Sequence, residues 1–335
     1  MTGILSREIR LKNRPFGLPK EEDFEVFEVR IPEIKEGEVL VRNLYMSVDP
    51  YMRGRMDERE SYTAPFELGK PLEGGCVGQV VESKSGDFRV GDYVSHMKGW
   101  REYSVSDGSE LIKIDPRIAP IQTYLGILGM TGLTAYVGLL DIGKPKKGET
   151  VFVSAAAGAV GSAACQIAKI KGCRVIASTG SDEKVSWLLE EVGVDKAFNY
   201  KKAERLMTEL KTLAPDGIDI YFDNVGGRHL EAAIACMNLH GRVVLCGMVS
   251  VYNATRPPRA PMNLVAVIPK RLALQGFIVS DHFDRQPEFF TDMGRWIREG
   301  KIRWKETVFE GVENAPKAFI GLFQGENLGK MLVKL

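Results

Sequence analysis

The stretch Val151-Phe152-Val153-Ser154-Ala155-Ala156-Ala157-Gly158-Ala159-Val160-Gly161 decides the fold of this chain. Its first four residues have the apolar pattern of a short buried strand, and an alanine-rich helical stretch covers residues 158–171. When the turn between them is aligned with G-x-G-x-x-G, the three slots hold Ala156, Gly158 and Gly161. Glycine in the second slot lets backbone amides approach a pyrophosphate, and glycine in the third permits close packing of the helix on the strand. The pattern predicts a dinucleotide site at a helix N-terminus, with simple helix packing as the alternative.

Strands and helices alternate after this motif. Residues 174–178 predict a second strand and residues 182–191 the helix that follows it. Further strands are predicted at 197–199, 218–222, 242–246 and 272–277. This alternation predicts βαβ units and a parallel, doubly wound sheet, which is an α/β fold.

The first 120 residues or so are instead β-rich. Short alternating runs at 38–44, 77–81 and 89–94 end at turn residues, and the last two flank Gly86-Asp87. Such close spacing is typical of a barrel or sandwich. The segment from Lys301 onward regains strand character. We therefore predict two domains, one formed by residues 1–122 and 297–335 and the other by residues 123–296.

The composition excludes several classes of protein. The chain has 335 residues, and its 45 Lys and Arg against 44 Asp and Glu give a formal net charge of +1, which offers no bulk field for nucleic acid or an anionic membrane. Neither a membrane span nor a signal peptide is visible in the sequence. The five cysteines are odd in number and include no C-x-x-C pair, so we expect free thiols and a reducing, cytoplasmic setting.

The end of the second predicted strand distinguishes NADPH from NADH. An NAD enzyme usually places an acid there to bind the adenine ribose 2′-hydroxyl, but this chain has Ser178-Thr179-Gly180-Ser181. Lys184 and Tyr200-Lys201-Lys202 supply cations and hydroxyls that suit a 2′-phosphate. The nearby Asp182-Glu183 is expected to face water in the first helical turn after an N-cap at Ser181. We predict NADPH, and the alternative is that Lys184 is an ordinary solvated lysine.

No zinc site is predicted. A zinc dehydrogenase needs Cys or His ligands that converge on one ion with a position left open. The four histidines are isolated and none has a cysteine at ligand spacing; they are His96, His229, His240 and His282. Leu72 stands where a ligand histidine would be useful, and no G-x-S-x-G nucleophile elbow occurs. A carbonyl substrate would therefore be polarised without a metal.

In their order along the chain, these motifs resemble the medium-chain dehydrogenase/reductase superfamily. A β-rich first domain, Ala-x-Gly-x-x-Gly and then Asp223-Asn224-Val225-Gly226-Gly227 carry this resemblance. More narrowly, the chain is similar to the zinc-free leukotriene B4 12-hydroxydehydrogenase group, with its 15-oxoprostaglandin 13-reductases and plant 2-alkenal double-bond reductases. Two strings are specific to that branch, Asp49-Pro50-Tyr51-Met52-Arg53-Gly54-Arg55-Met56 and Ser250-Val251-Tyr252-Asn253. The resemblance covers nearly the whole chain.

The resemblance implies a GroES-like barrel completed by the C-terminal segment, a central Rossmann domain, NADPH in the cleft between them and a homodimer. It implies that Gly180, Lys184 and Tyr200 hold the 2′-phosphate. The other implied cofactor contacts are Met130, Thr134, Gly158, Ala159, Val160, Gly161, Asn224, Cys246, Gly247, Tyr252, Phe277, Val279 and Asn327. For Asn224 and Asn327 the alternative is the capping of a turn.

The implied reaction reduces the carbon–carbon double bond of α,β-unsaturated aldehydes and ketones. Hydride addition to the β-carbon leaves an enolate, so the site must stabilise an oxyanion and deliver a proton to the α-carbon. Tyr252 is the candidate donor, because it lies in a loop after a strand and a tyrosine with a pKa of about 10 keeps its proton at neutral pH. The alternative is that Tyr252 packs its ring and bonds a backbone carbonyl. Tyr51 is the second catalytic candidate, as a wall of the substrate pocket or, equally, as a packing residue.

We therefore predict a zinc-independent, NADPH-dependent reductase of small-molecule enals and enones. A quinone oxidoreductase of the same superfamily is the nearest alternative. A non-catalytic NADPH-binding redox sensor is the alternative from another class. The two branch-specific strings favour the double-bond reductase, and a sensor would have no need of Tyr252.

Overall fold

The structure is a computed structural model that describes residues 3–335, and it contains two compact units. The first unit comprises the described residues up to Leu125 together with Glu306–Asn327 and Met331–Leu335. The second unit comprises Gly126–Lys305 and Leu328–Lys330.

The strands of the described residues are numbered in chain order. They are β1 Leu5–Leu11, β2 Phe24–Arg30, β3 Val39–Ser47, β4 Cys76–Ser83, β5 Tyr93–His96, β6 Tyr103–Ser106, β7 Ile112–Lys113, β8 Thr150–Val153, β9 Arg174–Thr179, β10 Lys196–Asn199, β11 Ile218–Asp223, β12 Met237–Leu245, β13 Ala273–Gly276, β14 Glu306–Glu310 and β15 Lys330–Lys334.

The α-helices are numbered in the same way. They are α1 Met52–Arg55, α2 Met130–Val137, α3 Ala159–Ile170, α4 Asp182–Trp187, α5 Leu206–Leu213, α6 Gly227–Cys236, α7 Val267–Lys270, α8 Gln286–Arg298 and α9 Ala315–Gln324. Short π-helical turns at Gly138–Gly143 and Leu188–Val192 extend α2 and α4. Over residues 3–335, no helix has both the length and the apolar character needed to cross a bilayer.

The first unit is built on antiparallel strands. Its main sheet has the order β14-β15-β3-β4-β5-β7, with β6 also paired to β3, and β1 and β2 form a separate two-stranded sheet. The core of this unit centres on Trp100, whose ring stacks on Phe24 with centroids 6.0 Å apart. Phe319, from α9, packs edge-on against both rings. The C-terminal segment therefore contributes a helix, α9, and two strands, β14 and β15, to the first unit.

The second unit is built on six parallel strands. Their order is β10-β9-β8-β11-β12-β13, which is the 3-2-1-4-5-6 order of a dinucleotide-binding sheet. The predicted fold class is confirmed. The strand order reverses between β8 and β11, so the site of such a sheet lies outside the carboxyl ends of these two strands.

Two predicted strands have the wrong bounds. Residues 89–92 form a tight turn, in which the Asp92 amide donates to the Arg89 carbonyl and Gly91 takes a φ of +98°, so β5 begins only at Tyr93. Conversely, β12 begins at Met237, five residues before the predicted start at residue 242. His240, with a φ of +61°, and Gly241 interrupt the apolar pattern there, although the strand continues through them.

Candidate active site

The carboxyl edge of the parallel sheet collects most of the predicted site residues. Each of its six strands is followed by at least one of them. They are Gly158–Gly161 after β8, Gly180 after β9, Tyr200 after β10, Asn224 after β11, Cys246 and Gly247 after β12, and Phe277 and Val279 after β13. Because parallel strands end at the same edge, the structure brings together residues as distant in the sequence as Gly158 and Val279.

The glycine-rich turn after β8 leaves the start of α3 open. Gly158 is the N-cap of α3, and no side chain caps this helix end. The first-turn amides of a helix have no intrahelical acceptor, so this end can donate to an anion. Residues 158–160 are partly exposed, whereas the helix is buried from Gly161 to Ala168. This geometry fits a bound pyrophosphate.

Close helix–strand contact explains the glycine in the third slot. A Cβ atom on Gly161 would lie 2.4 Å from the Ala155 carbonyl oxygen and 2.7 Å from the Ala156 Cα atom. The residue before the first slot has an unusual backbone conformation. The tight turn is made by Ala155, which takes a φ of +47°, because the chain turns directly after Ser154.

Two cations and a hydroxyl surround Gly180. A Cβ atom on Gly180 would lie 3.4 Å from the Tyr200 hydroxyl and 3.3 Å from Cε of Lys201. The Tyr200 ring packs edge-on against His229, with centroids 5.0 Å apart. Burial lowers the pKa of Lys184, and the charge of Lys201 lowers it further. An anion beside Lys184 would offset both the burial of its ammonium group and the repulsion from Lys201, so this position suits a 2′-phosphate.

The Asp182 carboxylate, close in sequence to Gly180 and Lys184, is paired with other residues. Ser181 is the N-cap of α4, and its hydroxyl accepts from the Lys184 amide at 3.3 Å, as predicted. The Asp182 carboxylate pairs with Lys202 and accepts from Asn199 Nδ2 at 2.9 Å. These partners lower the pKa of Asp182, so this acid is already engaged at the protein surface.

One face of α2 presents two predicted contacts. Met130 and Thr134 are the two residues of α2 that are not buried. The Thr134 hydroxyl donates to the Met130 carbonyl at 2.7 Å, one helical turn earlier. Both side chains therefore lie on the accessible side of an otherwise buried helix, as a cofactor contact requires.

Tyr252 carries a hydroxyl with a free donor. It follows the 3-10 turn Val249–Val251, and its oxygen accepts from the Met248 amide at 3.3 Å. The alternative interpretation, a bond to a backbone carbonyl, does not match this contact, in which the hydroxyl is the acceptor. In the described part of the chain, the Tyr252 proton is donated to no other group. Burial raises the pKa of Tyr252, so the proton remains at neutral pH.

The thiol of Cys246, beside this loop, is unreactive at neutral pH. Burial raises the pKa of Cys246 to about 12, and the neighbouring Asp223 contributes in the same direction. Because the thiolate is the reactive form of cysteine, Cys246 is a wall of the site rather than a nucleophile. The next residue must be small, since a Cβ atom on Gly247 would lie 3.1 Å from the Tyr252 hydroxyl.

Tyr51 and Asn327 belong to the first unit. Tyr51 precedes α1 and packs against the core of that unit, and burial raises its pKa. Asn327 lies two residues beyond Gly325, the left-handed C-cap of α9, which takes a φ of +75°. The catalytic role of Tyr51 and the cofactor contact of Asn327 stay predictions.

A buried polar network that the sequence motifs did not predict lies behind the site. Asp223, Tyr221 and Ser154 meet where β8 and β11 end, and Asn224 Nδ2 donates to the Ser154 carbonyl at 2.8 Å. The alternating polar residues Asp219, Tyr221 and Asp223 of β11 were the available sign, since residues at i and i+2 share one face of a strand.

The histidines and acids form no metal centre among residues 3–335, where no group of three or more His, Cys, Asp or Glu could hold an ion. His96 is buried and lies 3.1 Å from Asn43 Oδ1, and burial lowers its pKa to about 3. It is therefore a hydrogen-bonded structural residue.

Two family models match the chain. Residues 7–114 match the N-terminal domain of oxidoreductase, and residues 159–298 match the zinc-binding dehydrogenase family. The first matched segment contains most of the antiparallel strands of the first unit, and the second contains every strand of the parallel sheet except β8.

Full-length relatives give a closer comparison. The NADP⁺-dependent 2-alkenal reductase of Nicotiana tabacum is 46% identical, over 98% of this chain and 97% of the relative. The NADPH-dependent curcumin reductase of Escherichia coli is 43% identical, over 97% and 95%. The crystal structure of CurA from Vibrio vulnificus in complex with NADPH superposes with a TM-score of 0.93, at 43% identity and with 98% of each chain covered. The chain belongs to the zinc-free group of the medium-chain dehydrogenase/reductase superfamily, as its motifs predicted.

Proposed function

We propose that this protein uses NADPH to reduce the carbon–carbon double bond of α,β-unsaturated aldehydes and ketones. The observation that carries the proposal is the Tyr252 hydroxyl, a protonated donor held on the same sheet edge as the open start of α3. The relatives that act on 2-alkenals and on curcumin support it. The NADPH in the V. vulnificus structure supports the choice of cofactor.

The residues of the second unit would hold the cofactor in three places. The amides at the start of α3 would bind the pyrophosphate, because no side chain caps this helix end. Lys184, Tyr200 and Lys201 would bind the 2′-phosphate. When bound, NADPH supplies a hydride to an electron-poor carbon.

Tyr252 would stabilise the charge that develops on the substrate oxygen. A hydrogen bond from a neutral, buried hydroxyl strengthens as the oxygen becomes negative, because little water competes for the donor. The Met248 amide donates to a lone pair of the Tyr252 oxygen and so fixes the position of this hydroxyl. The hydroxyl proton of Tyr252 remains available for the substrate. The reaction would therefore proceed without zinc.

We propose that the two compact units correspond to the predicted domains, residues 1–122 with 297–335 and residues 123–296. The first would take the substrate, with Tyr51 shaping its pocket, and the second would take NADPH. Asn327 would contribute a further cofactor contact. The partly exposed Tyr51 at the start of α1 supports its part in this assignment.

We also propose a homodimer. Strand β13 is an edge of the parallel sheet, and exposed apolar side chains precede and follow it in the sequence. They are Met262, Leu264, Val265, Ile268 and Phe283. Sedimentation should give twice the 37.2 kDa chain mass, and Val265→Glu, at a side chain that is 72% exposed, should shift the protein toward the monomer. A wild-type chain that sediments as a monomer contradicts this proposal.

A cytoplasmic location completes the proposal. All five cysteines are free thiols and four of them are fully buried, which suits a reducing compartment. Fractionation of the source cells should place the protein with cytoplasmic markers.

Turnover tests the proposed reaction. NADPH consumption should be measured with a 2-alkenal, an aryl enone, a quinone and a saturated aldehyde, with NADH in parallel. We expect consumption with the alkenal and the enone and none with the saturated aldehyde. Turnover with the quinone alone would replace the proposal with a quinone oxidoreductase, and stoichiometric NADPH binding without turnover would indicate a sensor.

Lys184→Ala tests the choice of cofactor. Loss of the ammonium should raise the KM for NADPH by about tenfold or more, since ~1.4 kcal/mol corresponds to a factor of ten. The KM for NADH should hardly change, because NADH carries no 2′-phosphate. Lys171→Ala, at an exposed lysine after α3, is the matched control. An equal loss for both cofactors rules out the 2′-phosphate contact.

Tyr252→Phe tests the proton donor. It should lower kcat by about tenfold or more and change the affinity for NADPH much less. Because burial raises the pKa of Tyr252 above its ordinary value, its donor form persists as the pH rises, and wild-type kcat should show no loss from this group between about pH 6 and 9. Tyr124→Phe, in the first unit, is the control for removal of a hydroxyl. An unaltered kcat in Tyr252→Phe removes this residue from the mechanism.

A further inference from the structure

Asp223 is a buried carboxylate that the proposed reaction does not use. It ends β11, and its side chain has no exposed surface. Its Oδ1 atom accepts from the Tyr221 hydroxyl at 2.6 Å and from the amides of Gly226 and Val225 at 2.7 and 2.9 Å. Across residues 3–335, its Oδ2 atom has no hydrogen-bond partner. The carboxylate is thus held by neutral donors only: two amides of the turn that follows β11, the Tyr221 hydroxyl of β11 itself and, at 3.4 Å, the Ser154 hydroxyl after β8.

The same residue also binds the loop that carries Tyr252. The Asp223 carbonyl accepts from the amides of Cys246 and Gly247, both at 3.0 Å. Asp223 therefore holds two segments. Its side chain fixes the turn at 224–227, and its main-chain carbonyl fixes the start of the loop at 246–252. These segments carry the predicted cofactor contacts Asn224 and Cys246.

Further hydrogen bonds join the two segments. The Val249 amide donates to the Asn224 carbonyl and the Ser250 amide to the Val225 carbonyl, both at 3.2 Å. The Ser250 hydroxyl adds a bond of 2.5 Å to the Val225 carbonyl. The segments are also in van der Waals contact, since a Cβ atom on Gly226 would lie 2.9 Å from Cβ of Met248. Met248 is the residue whose amide holds the Tyr252 hydroxyl.

We propose that Asp223 is a positioning residue that sets the place of the Tyr252 hydroxyl and of Asn224. Its carboxylate fixes the amides of Val225 and Gly226. The carbonyls of Asn224 and Val225 then fix the loop that carries Tyr252. This inference rests on the proposed function for its effect on turnover, and on the predicted contact of Asn224 for its effect on NADPH binding.

The energetics of the site favour this role over a purely stabilising one. A carboxylate buried without a cation costs free energy, and an apolar side chain of similar size is often at least as stable in such a place. Asp219, near the other end of β11, differs from Asp223 in both burial and hydrogen bonding. It is only partly buried, and its two oxygens accept from the Thr150 amide and from Asn238 Nδ2, each at 2.8 Å.

Four variants test the role of Asp223. Asp223→Ala removes the acceptor, whereas Asp223→Asn keeps an oxygen for the amides of Val225 and Gly226. Asp219→Ala is the matched control on the same strand. Ser250→Ala weakens the junction of the two segments at an exposed side chain, so it reports on the same contacts if Asp223→Ala does not fold. For each, kcat with an enone, the Kd for NADPH from its fluorescence and the Tm are measured.

We expect Asp223→Ala to lower kcat by about tenfold or more, because small displacements of a catalytic group are costly, and to raise the Kd for NADPH at least about threefold. Asp223→Asn should recover kcat to within about threefold of wild type, and Ser250→Ala should lower kcat a few-fold at an unchanged Tm. Asp219→Ala should lower Tm and leave kcat and the Kd for NADPH unchanged.

Two results would overturn the inference. One is a folded Asp223→Ala variant with the same kcat and Kd as Asp219→Ala. The other, which applies if Asp223→Ala does not fold, is an unchanged kcat in Ser250→Ala. If wild type turns over no enone, the proposed function fails, and the Kd values still decide whether Asp223 positions Asn224.

Discussion

The pairing of β8 with β11 is the contact on which the site depends. Val151–Val153 lie in parallel register with Ile220–Phe222, although the chain between them has already built β9 and β10 on the other side of β8. The turns that leave β8 and β11 therefore diverge and leave the edge of the sheet open. The glycine-rich turn with α3 lies on one side of this opening, and the turn at 224–227 lies on the other.

The chemistry of the site follows from what surrounds this opening. Donors are fixed before any ligand arrives: the amides at the start of α3, the cations around Gly180 and the Tyr252 hydroxyl. Fixed donors in a poorly hydrated site stabilise a developing negative charge without reorganisation, which is the role that a metal plays in zinc dehydrogenases. Burial keeps both Tyr252 and Cys246 protonated, so the proposed donor role of Tyr252 is available at neutral pH and the Cys246 thiol is a poor nucleophile.

The local parts of this account could be predicted from the sequence. The glycines at 158 and 161, the N-cap at Ser181 and the strand ends followed by site residues all follow from patterns within a few residues. The resemblance to a family supplied Met130 and Thr134, which no local pattern indicates. The alternating polar residues of β11 indicated that Asp223 has polar partners, but those partners could not be predicted, because they depend on three strands that are distant in the sequence. The bounds of β5 and β12 were missed because backbone conformations at Gly91 and His240 decided them.

The fate of the transferred hydride tests the central claim most directly. Wild-type protein would be incubated with an aryl enone and NADPH that carries deuterium at C4 of the nicotinamide. The two C4 stereoisomers of this cofactor would be used in separate reactions, and each product would be analysed by NMR. The account predicts a saturated ketone that carries deuterium on the former β-carbon with one of the two stereoisomers, and a solvent proton on the α-carbon. Deuterium on the carbonyl carbon of an unsaturated alcohol would contradict it.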